Sequence, residues 1–233
     1  MKFHVGTSGY SYKEWKGKFY PADLSATKML PFYAEHFSTV ESNGTFYRMP
    51  TAEQLKAQAA QTPKHFQFAL KAPQVLTHFK RLKAVGKEMT QFVRAASALN
   101  GQLGPVLFQL PPNFKKDLPR LEAFLKLKRG NLRLAFEFRH PSWLDDEVFA
   151  SLKMNHCALC VADTEDGPPP QFVNPTNWGY VRLRKNRYTK KSLSDWGKKL
   201  NALKWKETYV YFMHEETGTG PIYAETFLKI VGS

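Results

Sequence analysis

Short apolar segments alternate with segments of helical periodicity along the whole chain, and this order constrains the fold more than any other feature. Eight segments have the length and composition of strands, and all but one are followed by a segment with helical spacing of apolar residues. Such alternation implies a parallel sheet with helices packed against it. Eight repeats within 233 residues are typical of a (β/α)8 barrel. We therefore predict an α/β chain that forms a single TIM-type (β/α)8 barrel, one domain over residues 1–233.

The predicted strands are apolar on both faces in their middles, as buried parallel strands are. One connection is unusual, because Thr164–Asn177 contains a glycine and three consecutive prolines and has no helical period. We expect a long Pro-rich loop there in place of the helix between strands six and seven. The strands are predicted over Phe3–Gly6, Thr39–Ser42, Phe66–Leu70, Pro105–Leu110, Leu132–Arg139, His156–Ala162, Gly179–Leu183 and Tyr209–Met213. The helices are predicted over Met29–Phe37, from Thr51, over Val85–Leu99 and Leu118–Leu127, from an Asp145 cap through Leu152, over Leu193–Leu203 with Ser192 or Ser194 as cap, and over Ile222–Val231.

The fifth strand ends in two opposite charges that share one face. Phe136 and Phe138 fall on one parity of the strand, and Glu137 and Arg139 fall on the other. His140 and the proline after it then end the strand. Two charges at a buried strand end are unfavourable unless they are paired or used. They indicate either a functional site or an ion pair that only ties the strand end down.

In a (β/α)8 barrel the active site lies at the C-terminal ends of the strands. Acids, bases and a histidine occur there in this sequence, so we predict an enzyme that acts by acid–base chemistry on an anionic substrate, phosphorylated or carboxylated. Arginines suit bidentate contacts with such groups. The candidate catalytic residues are Glu41, Glu137, Asp163 and His214. The candidate substrate-binding residues are Ser8, Tyr10, Asn43, Lys71, Gln109, Arg139, His140, Arg182 and Arg184.

Cofactor signals in the sequence are few. No organic cofactor motif is present. The four candidate catalytic residues form a carboxylate–histidine set that a divalent metal can use, but no HxH or HExxH spacing accompanies it, so we assign no metal ligand. Gly218–Gly220 precedes the last helix, where many barrels hold a phosphate; an ordinary turn is the alternative. Cys157 and Cys160 have CxxC spacing inside a strand, so we expect two buried, inert thiols on opposite faces.

The net charge of +14, from 34 basic and 20 acidic residues, favours anionic partners. A small anionic ligand is one possibility, and nucleic acid is the alternative. Basic residues with Tyr180 and Tyr188 interleaved suggest a protein that binds or processes nucleic acid by stacking bases beside held phosphates. A catalytically silent scaffold is the third possibility. The basic run comprises Arg182, Arg184, Lys185, Arg187, Lys190, Lys191, Lys198 and Lys199, of which Lys198 and Lys199 fit a solvated helix face.

The location of the protein is predicted from what the sequence lacks. The start, MKFHVGTSGY, has no signal-peptide apolar run, and no apolar stretch is long enough to span a membrane. Two cysteines cannot form a disulfide framework. We expect a cytoplasmic protein without a membrane partner.

Six stretches together resemble the YecE-like family, also called the domain of unknown function seventy-two family. The family is similar to TIM barrels in fold, which the resemblance therefore implies for this chain. Its biochemical activity is not established, so the resemblance implies a fold and a site rather than a reaction. The stretches are GTSGY at 6–10, VESNGTFY at 40–47, FALKAP at 68–73, TH at 77–78, LFQLPP at 107–112 and FEFRHPSW at 136–143.

The sequence departs from the family pattern at two strand ends. After strand seven the family has Tyr-x-Arg-x-His-Gly, whereas Arg184 and Lys185 stand here in place of His-Gly. After strand eight the family tends to have Phe-Asn-Asn, whereas Met213 and His214 follow the phenylalanine here. Roles of those family residues do not carry over, and we consider Arg184 and His214 as their substitutes.

Overall fold

The computed structural model describes residues 1–128, 130–214 and 216–232 and contains one eight-stranded parallel sheet. Its order is β1-β8-β7-β6-β5-β4-β3-β2, and a single bridge from Ser8 to Glu41 joins the two ends. The predicted (β/α)8 barrel is confirmed as a nearly closed barrel. In chain order the strands β1 to β8 are Lys2–Thr7, Thr39–Ser42, Gln67–Lys71, Leu103–Gln109, Leu134–Glu137, Ala158–Asp163, Trp178–Leu183 and Glu207–Phe212.

Helices cover the outside of the barrel. Residues 164–177, all within the described part of the chain, form no helix, as predicted for the Pro-rich loop. None of the described helices combines the length and apolar character that a membrane span requires. The helices α1 to α8 are Met29–His36, Gly44–Tyr47, Ala52–Ala59, Gly86–Ala96, Leu118–Leu125, Asp146–Met154, Lys190–Ala202 and Thr219–Val231, and Val75–Phe79 forms a π-helical turn.

Side-chain caps fix where several helices begin. Asp145 accepts a hydrogen bond from the backbone N–H of Val148, which confirms it as the cap of α6. The predicted cap of α7 is wrong, because the helix begins at Lys190, before the first residue of its apolar repeat at Leu193. Thr189 is its N-cap, and the Ser192 hydroxyl accepts from the Thr189 backbone N–H in a capping box.

The seam between β1 and β2 is held by one tyrosine. The Thr7 N–H donates to the Tyr33 hydroxyl at 2.8 Å, and that hydroxyl donates to the Thr39 carbonyl at 3.1 Å. A Cβ at Gly6 would lie 2.1 Å from the same carbonyl oxygen, so the close approach requires glycine. The phenol therefore bridges the two strands beside the single ladder contact that closes the barrel.

The core has an inner and an outer part, and the two cysteines divide between them. Cys160 lies inside the barrel with Tyr180, Tyr209 and Tyr211, whereas Cys157 packs in the outer core under the helices. Both are free, buried thiols. Burial raises the pKa of Cys157 to about 11 and raises that of Cys160 as well. Both thiols are therefore protonated at neutral pH, as expected for inert cysteines.

Candidate functional site

A fully buried arginine joins two carboxylates at the C-terminal end of the barrel. Arg182 on β7 donates from Nη1 to Glu137 Oε2 at 2.6 Å and from Nη2 to Glu41 Oε1 at 2.9 Å. The three side chains are 0–2% exposed. Alternate residues of a strand face the same side of the sheet. The glutamates and Arg182 therefore point inward, like the inner-core residues of their strands. The sequence prediction that these residues converge is therefore matched by their positions.

Glu41 has no free oxygen for a substrate. Its Oε1 also accepts from Ser8 Oγ at 2.7 Å, and its Oε2 accepts from the Tyr180 hydroxyl at 2.6 Å. Ser8 is thus part of the frame rather than an exposed ligand. Tyr180 was not among the predicted site residues, although it shares the strand parity of Arg182.

Glu137 is surrounded by donors. Its Oε1 accepts from Gln109 Nε2 at 2.7 Å and from Arg139 Nε at 3.2 Å, and Arg184 Nη1 lies 3.6 Å away. Burial alone would raise the pKa of Glu137, but Arg182, Arg139 and Arg184 together hold it well below its usual range. The carboxylate stays ionised at neutral pH. It therefore positions guanidinium groups, which differs from the proton-transfer role predicted from the sequence.

Positive charge exceeds negative charge among the side chains at the strand ends. Two buried carboxylates face four cationic groups, of which Lys71 has no carboxylate oxygen within 4.0 Å in the described chain. Burial, and then repulsion by Arg182, lower the pKa of Lys71 to about 8. The same two causes lower the pKa of Arg184. These two cations are incompletely neutralised, whereas opposite charges raise the pKa of Arg182 despite its burial.

A cavity of about 710 Å³ opens beside this network. The inner part is cationic, because Arg139 and Arg184 line it together with the bound carboxylate of Glu137. The outer rim is acidic, because the exposed residues Glu165 and Asp166 of the Pro-rich loop complete it. Exposed carboxylates are screened by water, so the field inside the cavity is set mainly by the buried groups. The remaining lining residues are Pro112, Phe138, Ala162, Thr164, Gly167, Pro168 and Asn186.

The sequence prediction missed a histidine on the π-helical turn after β3. His78 packs edge-on against the Phe46 ring with 4.9 Å between centroids, and Lys71 Nζ lies 4.0 Å from the centroid of the same ring. Burial and the positive charges of Lys71 and Arg139 lower the pKa of His78 to about 4. Its imidazole is therefore neutral at pH 7. A π-helical turn inserts a residue that a regular 3.6-residue period does not predict, although such turns are frequent at functional sites.

The side chains of two predicted catalytic residues point away from the interior of the barrel. Asp163 accepts from the Tyr188 hydroxyl at 2.9 Å and pairs with Lys185 Nζ at 3.0 Å. His214 contacts the Lys185 carbonyl through Nε2 and packs against Tyr223 with 4.9 Å between ring centroids. The prediction that both converge on the two glutamates is wrong. On β6 and β8 these two residues have the opposite parity to the inner-core residues, so their side chains face outward.

Met213 takes the inward position at the end of β8 that the prediction gave to His214. Its sulfur accepts from Arg184 Nε at 3.0 Å and lies 3.9 Å from Arg182 Nη2. A thioether is a weak, uncharged acceptor, so it orients the two guanidinium groups without neutralising them. Arg184 does lie in the site, as the sequence prediction expected.

The three other predicted binding residues have different surroundings. His140 accepts from the Ser142 N–H at 3.2 Å and caps the 3-10 turn Pro141–Trp143. Tyr10 packs against Tyr33 near the β1–β2 seam. Asn43 is partly exposed, and its buried Oδ1 has no hydrogen-bond partner in the described ranges. Of these three, Asn43 is the one with a buried polar atom left unpartnered among the described residues.

Further sequence hypotheses concern the surface. Tyr180 and Tyr188 are buried and hydrogen-bonded to carboxylates, so the prediction that they stack on bases is wrong. Gly218 adopts a left-handed conformation, and Lys18 Nζ donates to the Thr217 carbonyl at 2.7 Å. This turn packs against Lys18, and we assign no phosphate site to it. Within residues 1–128, 130–214 and 216–232, no three His, Cys, Asp or Glu side chains are grouped as metal ligands.

The fold and the site define a (β/α)8-barrel protein with an arginine–carboxylate network and a cationic cavity at the C-terminal ends of its strands. The chain belongs to the family described as "Protein of unknown function DUF72", whose model matches residues 4–233. The family predicted from the sequence motifs is thereby confirmed.

Relatives of known sequence or structure agree with this membership. The chain is 25% identical to UPF0759 protein YunF of Bacillus subtilis, with 98% of this chain and 94% of YunF covered. It is 31% identical to UPF0759 protein YecE of Escherichia coli over 60% of this chain and 49% of YecE. A DUF72 family protein from Thermotoga maritima superimposes with a TM-score of 0.90 at 29% identity, with both chains fully covered. A DUF72 protein from Enterococcus faecalis, 18% identical, has the same fold with a TM-score of 0.84 over 99% of this chain and 96% of its own.

Proposed function

We propose that the protein is an enzyme that binds a small phosphorylated or carboxylated substrate at the C-terminal opening of the barrel and acts on it by acid–base chemistry. The observation that carries this proposal is the charge surplus at the strand ends. Both buried carboxylates are committed to Arg182, while Lys71 and Arg184 remain incompletely neutralised. A bound anion would remove this repulsion in a partly dehydrated site.

Arg139 and Arg184 are the anion-binding groups in this proposal. Their side chains are 32% and 18% exposed and line the cavity, whereas Arg182 is 1% exposed and both of its Nη atoms are bound to carboxylates. Glu137 fixes both guanidinium groups, so little side-chain freedom is lost when an anion binds. Arginine presents paired N–H donors that match the oxygens of a carboxylate or phosphate.

Lys71 and His78 are the proton-transfer groups in this proposal, rather than the two glutamates. Lys71, with a pKa of about 8, exchanges a proton close to neutral pH. His78 is neutral there and can accept a proton when the nearby positive charge is offset. A bound anion would raise both pKa values, which couples substrate binding to proton uptake.

The proposal is tested by thermal shift with inorganic phosphate, a sugar phosphate and a dicarboxylate on the wild type, Arg184→Ala and Arg187→Ala. Arg187 is the matched control, because it is an exposed arginine of the same loop. A ligand bound only by the folded state raises the melting temperature by mass action. We expect at least one anion to stabilise the wild type and Arg187→Ala but not Arg184→Ala. Equal stabilisation of all three proteins, or of none, would contradict the site.

Salt-sensitive binding of oligonucleotides that Arg184→Ala leaves unchanged would instead favour the exposed basic residues of α7. These are Lys190, Lys191, Lys198 and Lys199.

A further inference from the structure

Lys71 differs from the other lysines that approach acidic side chains. Lys80, Lys116 and Lys185 each pair with a carboxylate, but no carboxylate oxygen of the described residues lies within 4.0 Å of Lys71 Nζ. Its amine instead lies over the Phe46 ring, 4.0 Å from the centroid. The nearby carboxylates Glu41 and Glu137 are already bound by Arg182. Burial and the charges of Arg182 and Arg139 oppose an ammonium group here, and the Phe46 ring face and the two engaged carboxylates offset this only in part.

The backbone holds this amine in a fixed place. Lys71 is the last residue of β3, where it registers with Leu107 of β4, and its carbonyl accepts from Thr45 Oγ1 at 2.7 Å. Thr45 belongs to α2, the helix that also carries Phe46. The strand end and the ring beneath the amine are thus tied together. The side chain is partly exposed but does not line the cavity, so a ligand held by Arg139 and Arg184 has to extend toward it.

The surroundings also keep much of the amine uncharged. With a pKa of about 8, about half of Lys71 is the free amine at pH 8, compared with about 0.3% for an ordinary lysine. A free amine is a nucleophile, and a desolvated lysine beside other cations is a known means of obtaining one. A lysine that served only to bind an anion would gain nothing from losing its charge.

We propose that Lys71 forms an imine with a carbonyl carbon of the substrate, so that the substrate class is a small anion carrying an aldehyde or a ketone. The inference rests on the proposed function, because Arg139 and Arg184 hold the anionic group while the carbonyl extends toward β3. Between β3 and β5 lies only β4, whose inward residue Gln109 is bound to Glu137. A compact substrate therefore has to span two strand spacings, about 10 Å.

The covalent step needs no oxidant or reductant. The Nζ lone pair forms the C–N bond while the carbonyl π pair moves to oxygen, and the proton lost by Nζ goes to that oxygen to give a carbinolamine. The C–O bond then breaks, the hydroxyl takes a proton from solvent and leaves as water, and the nitrogen lone pair completes a protonated imine. His78, on the same Phe46 ring, is the neutral base that can relay the proton between nitrogen and oxygen.

The test is reductive trapping of the wild-type protein at pH 8 with 9-oxononanoate, whose aldehyde lies about 10 Å from its carboxylate when extended, and cyanoborohydride, followed by peptide mapping. We expect Lys71 to be modified roughly tenfold or more faster than the exposed Lys198, because its free-amine fraction is higher and the anion site holds the aldehyde near it. Acetaldehyde, which has no anionic group, should show a weaker preference for Lys71. Modification of Lys198 as fast as Lys71 would overturn the proposal.

A second measurement separates this inference from the proposed function. Lys71→Arg keeps the charge, so inorganic phosphate should still raise its melting temperature, while trapping at this position is lost. Phosphate stabilisation of the wild type without preferential labelling of Lys71 would refute the imine and leave the anion site standing. Absence of phosphate stabilisation together with unselective labelling would refute both. Labelling of the wild type decides the question even where Lys71→Arg does not fold.

Discussion

The two ends of the barrel each contain an arginine network, but only one end has excess charge. At the N-terminal end, Arg133 pairs with Glu207 and donates to the Tyr209 hydroxyl at 2.7 Å. His4 stacks on Tyr209 with 4.5 Å between ring centroids and contacts Glu207 at 3.2 Å. One arginine there meets one carboxylate. At the C-terminal end, four cationic side chains meet two carboxylates, and a cavity opens beside them.

The difference shows why a buried ion pair does not by itself indicate function. Ion-pair networks that only stabilise or specify a fold also contain buried or perturbed charges. The N-terminal network is balanced, and Arg133 and Glu207 are both partly exposed. In the C-terminal network, burial and then repulsion by Arg182 lower the pKa values of Lys71 and Arg184, so the two carboxylates do not fully compensate these cations.

The largest effect is expected for Glu137→Gln. Loss of this carboxylate leaves Arg182, whose side chain is 1% exposed, half paired, and breaking a buried pair costs about 3–5 kcal/mol of unfolding free energy. The matched control is Glu207→Gln at the other end, where the carboxylate is 32% exposed and the expected loss is about 1 kcal/mol. Urea denaturation measures both. Equal losses would show that the two networks are energetically alike.

The next largest effect is expected for Lys71→Met, which should remove a pH dependence of the unfolding free energy. The folded pKa of about 8 lies below the unfolded value, so the unfolded chain binds more protons between pH 8 and 10.5, and wild-type stability rises over that range. Below pH 8 the charged amine destabilises the fold, by about 1–3 kcal/mol after allowance for partial exposure. Lys71→Met should therefore be more stable than the wild type at pH 7, with the difference shrinking by pH 10.5.

The control for that series is Lys56→Met, which removes an exposed lysine of α3. It should change stability little and equally at every pH. A difference between wild type and Lys71→Met that stays constant from pH 7 to 10.5 would contradict the lowered pKa.

A smaller effect is expected for His78→Gln in acid. The pKa of His78 in the folded protein is about 4, below its unfolded value, so the wild type loses stability as the pH falls from about 6.5 to 4. The variant should lack this loss, which we expect to be about 1 kcal/mol because the ring is partly exposed. Thermal melts from pH 4 to 7 measure this loss of stability. If the stability of the two proteins changes with pH in parallel, the pKa of His78 is not lowered in the folded protein.

The smallest effect is expected for Arg139→Gln. Arg139 is one of the charges that oppose the protonated form of Lys71, after burial and Arg182. Its removal should raise the pKa of Lys71 and move the midpoint of pH-dependent trapping upward. The exposed Arg187→Gln should leave that midpoint in place. A shift of equal size in both variants would reflect total charge rather than the site.

Strand parity in the sequence was sufficient to locate most of the network. Glu41, Lys71, Gln109, Glu137 and Arg182 lie where alternation along a pleated strand places them. The prediction failed on two strands because we did not use each strand's own core residues to decide which alternate positions face the barrel interior. On β6 and β8 the inner core contains Cys160 and Tyr211, so Asp163 and His214 face outward, as their sequence positions already implied.

The remaining features of the site depend on geometry that the sequence does not encode locally. His78 enters the site through a π-helical turn followed by residues with positive φ, such as Arg81 and Leu82. The neutralising role of Glu137 depends on Arg182 of β7 and on two arginines that follow the ends of β5 and β7, whose distances no spacing rule predicts. The pKa of Lys71 likewise depends on burial, which only the packed barrel supplies.

The closure of the barrel by β1 also sets the order in which the site can appear during synthesis. β1 pairs with β8, the last strand to be made, and the Arg182–Glu41 contact joins residues 141 positions apart. A ribosome-bound chain that lacks β7 and β8 therefore carries Glu41 without its cation and has no cationic cavity. Contacts this distant along the chain slow folding and leave strand edges unpaired in the meantime. The proposed anion site, formed by Arg139 and Arg184, therefore requires β7 as well as β5, and anion capture during refolding would report the assembly of these strands rather than early collapse.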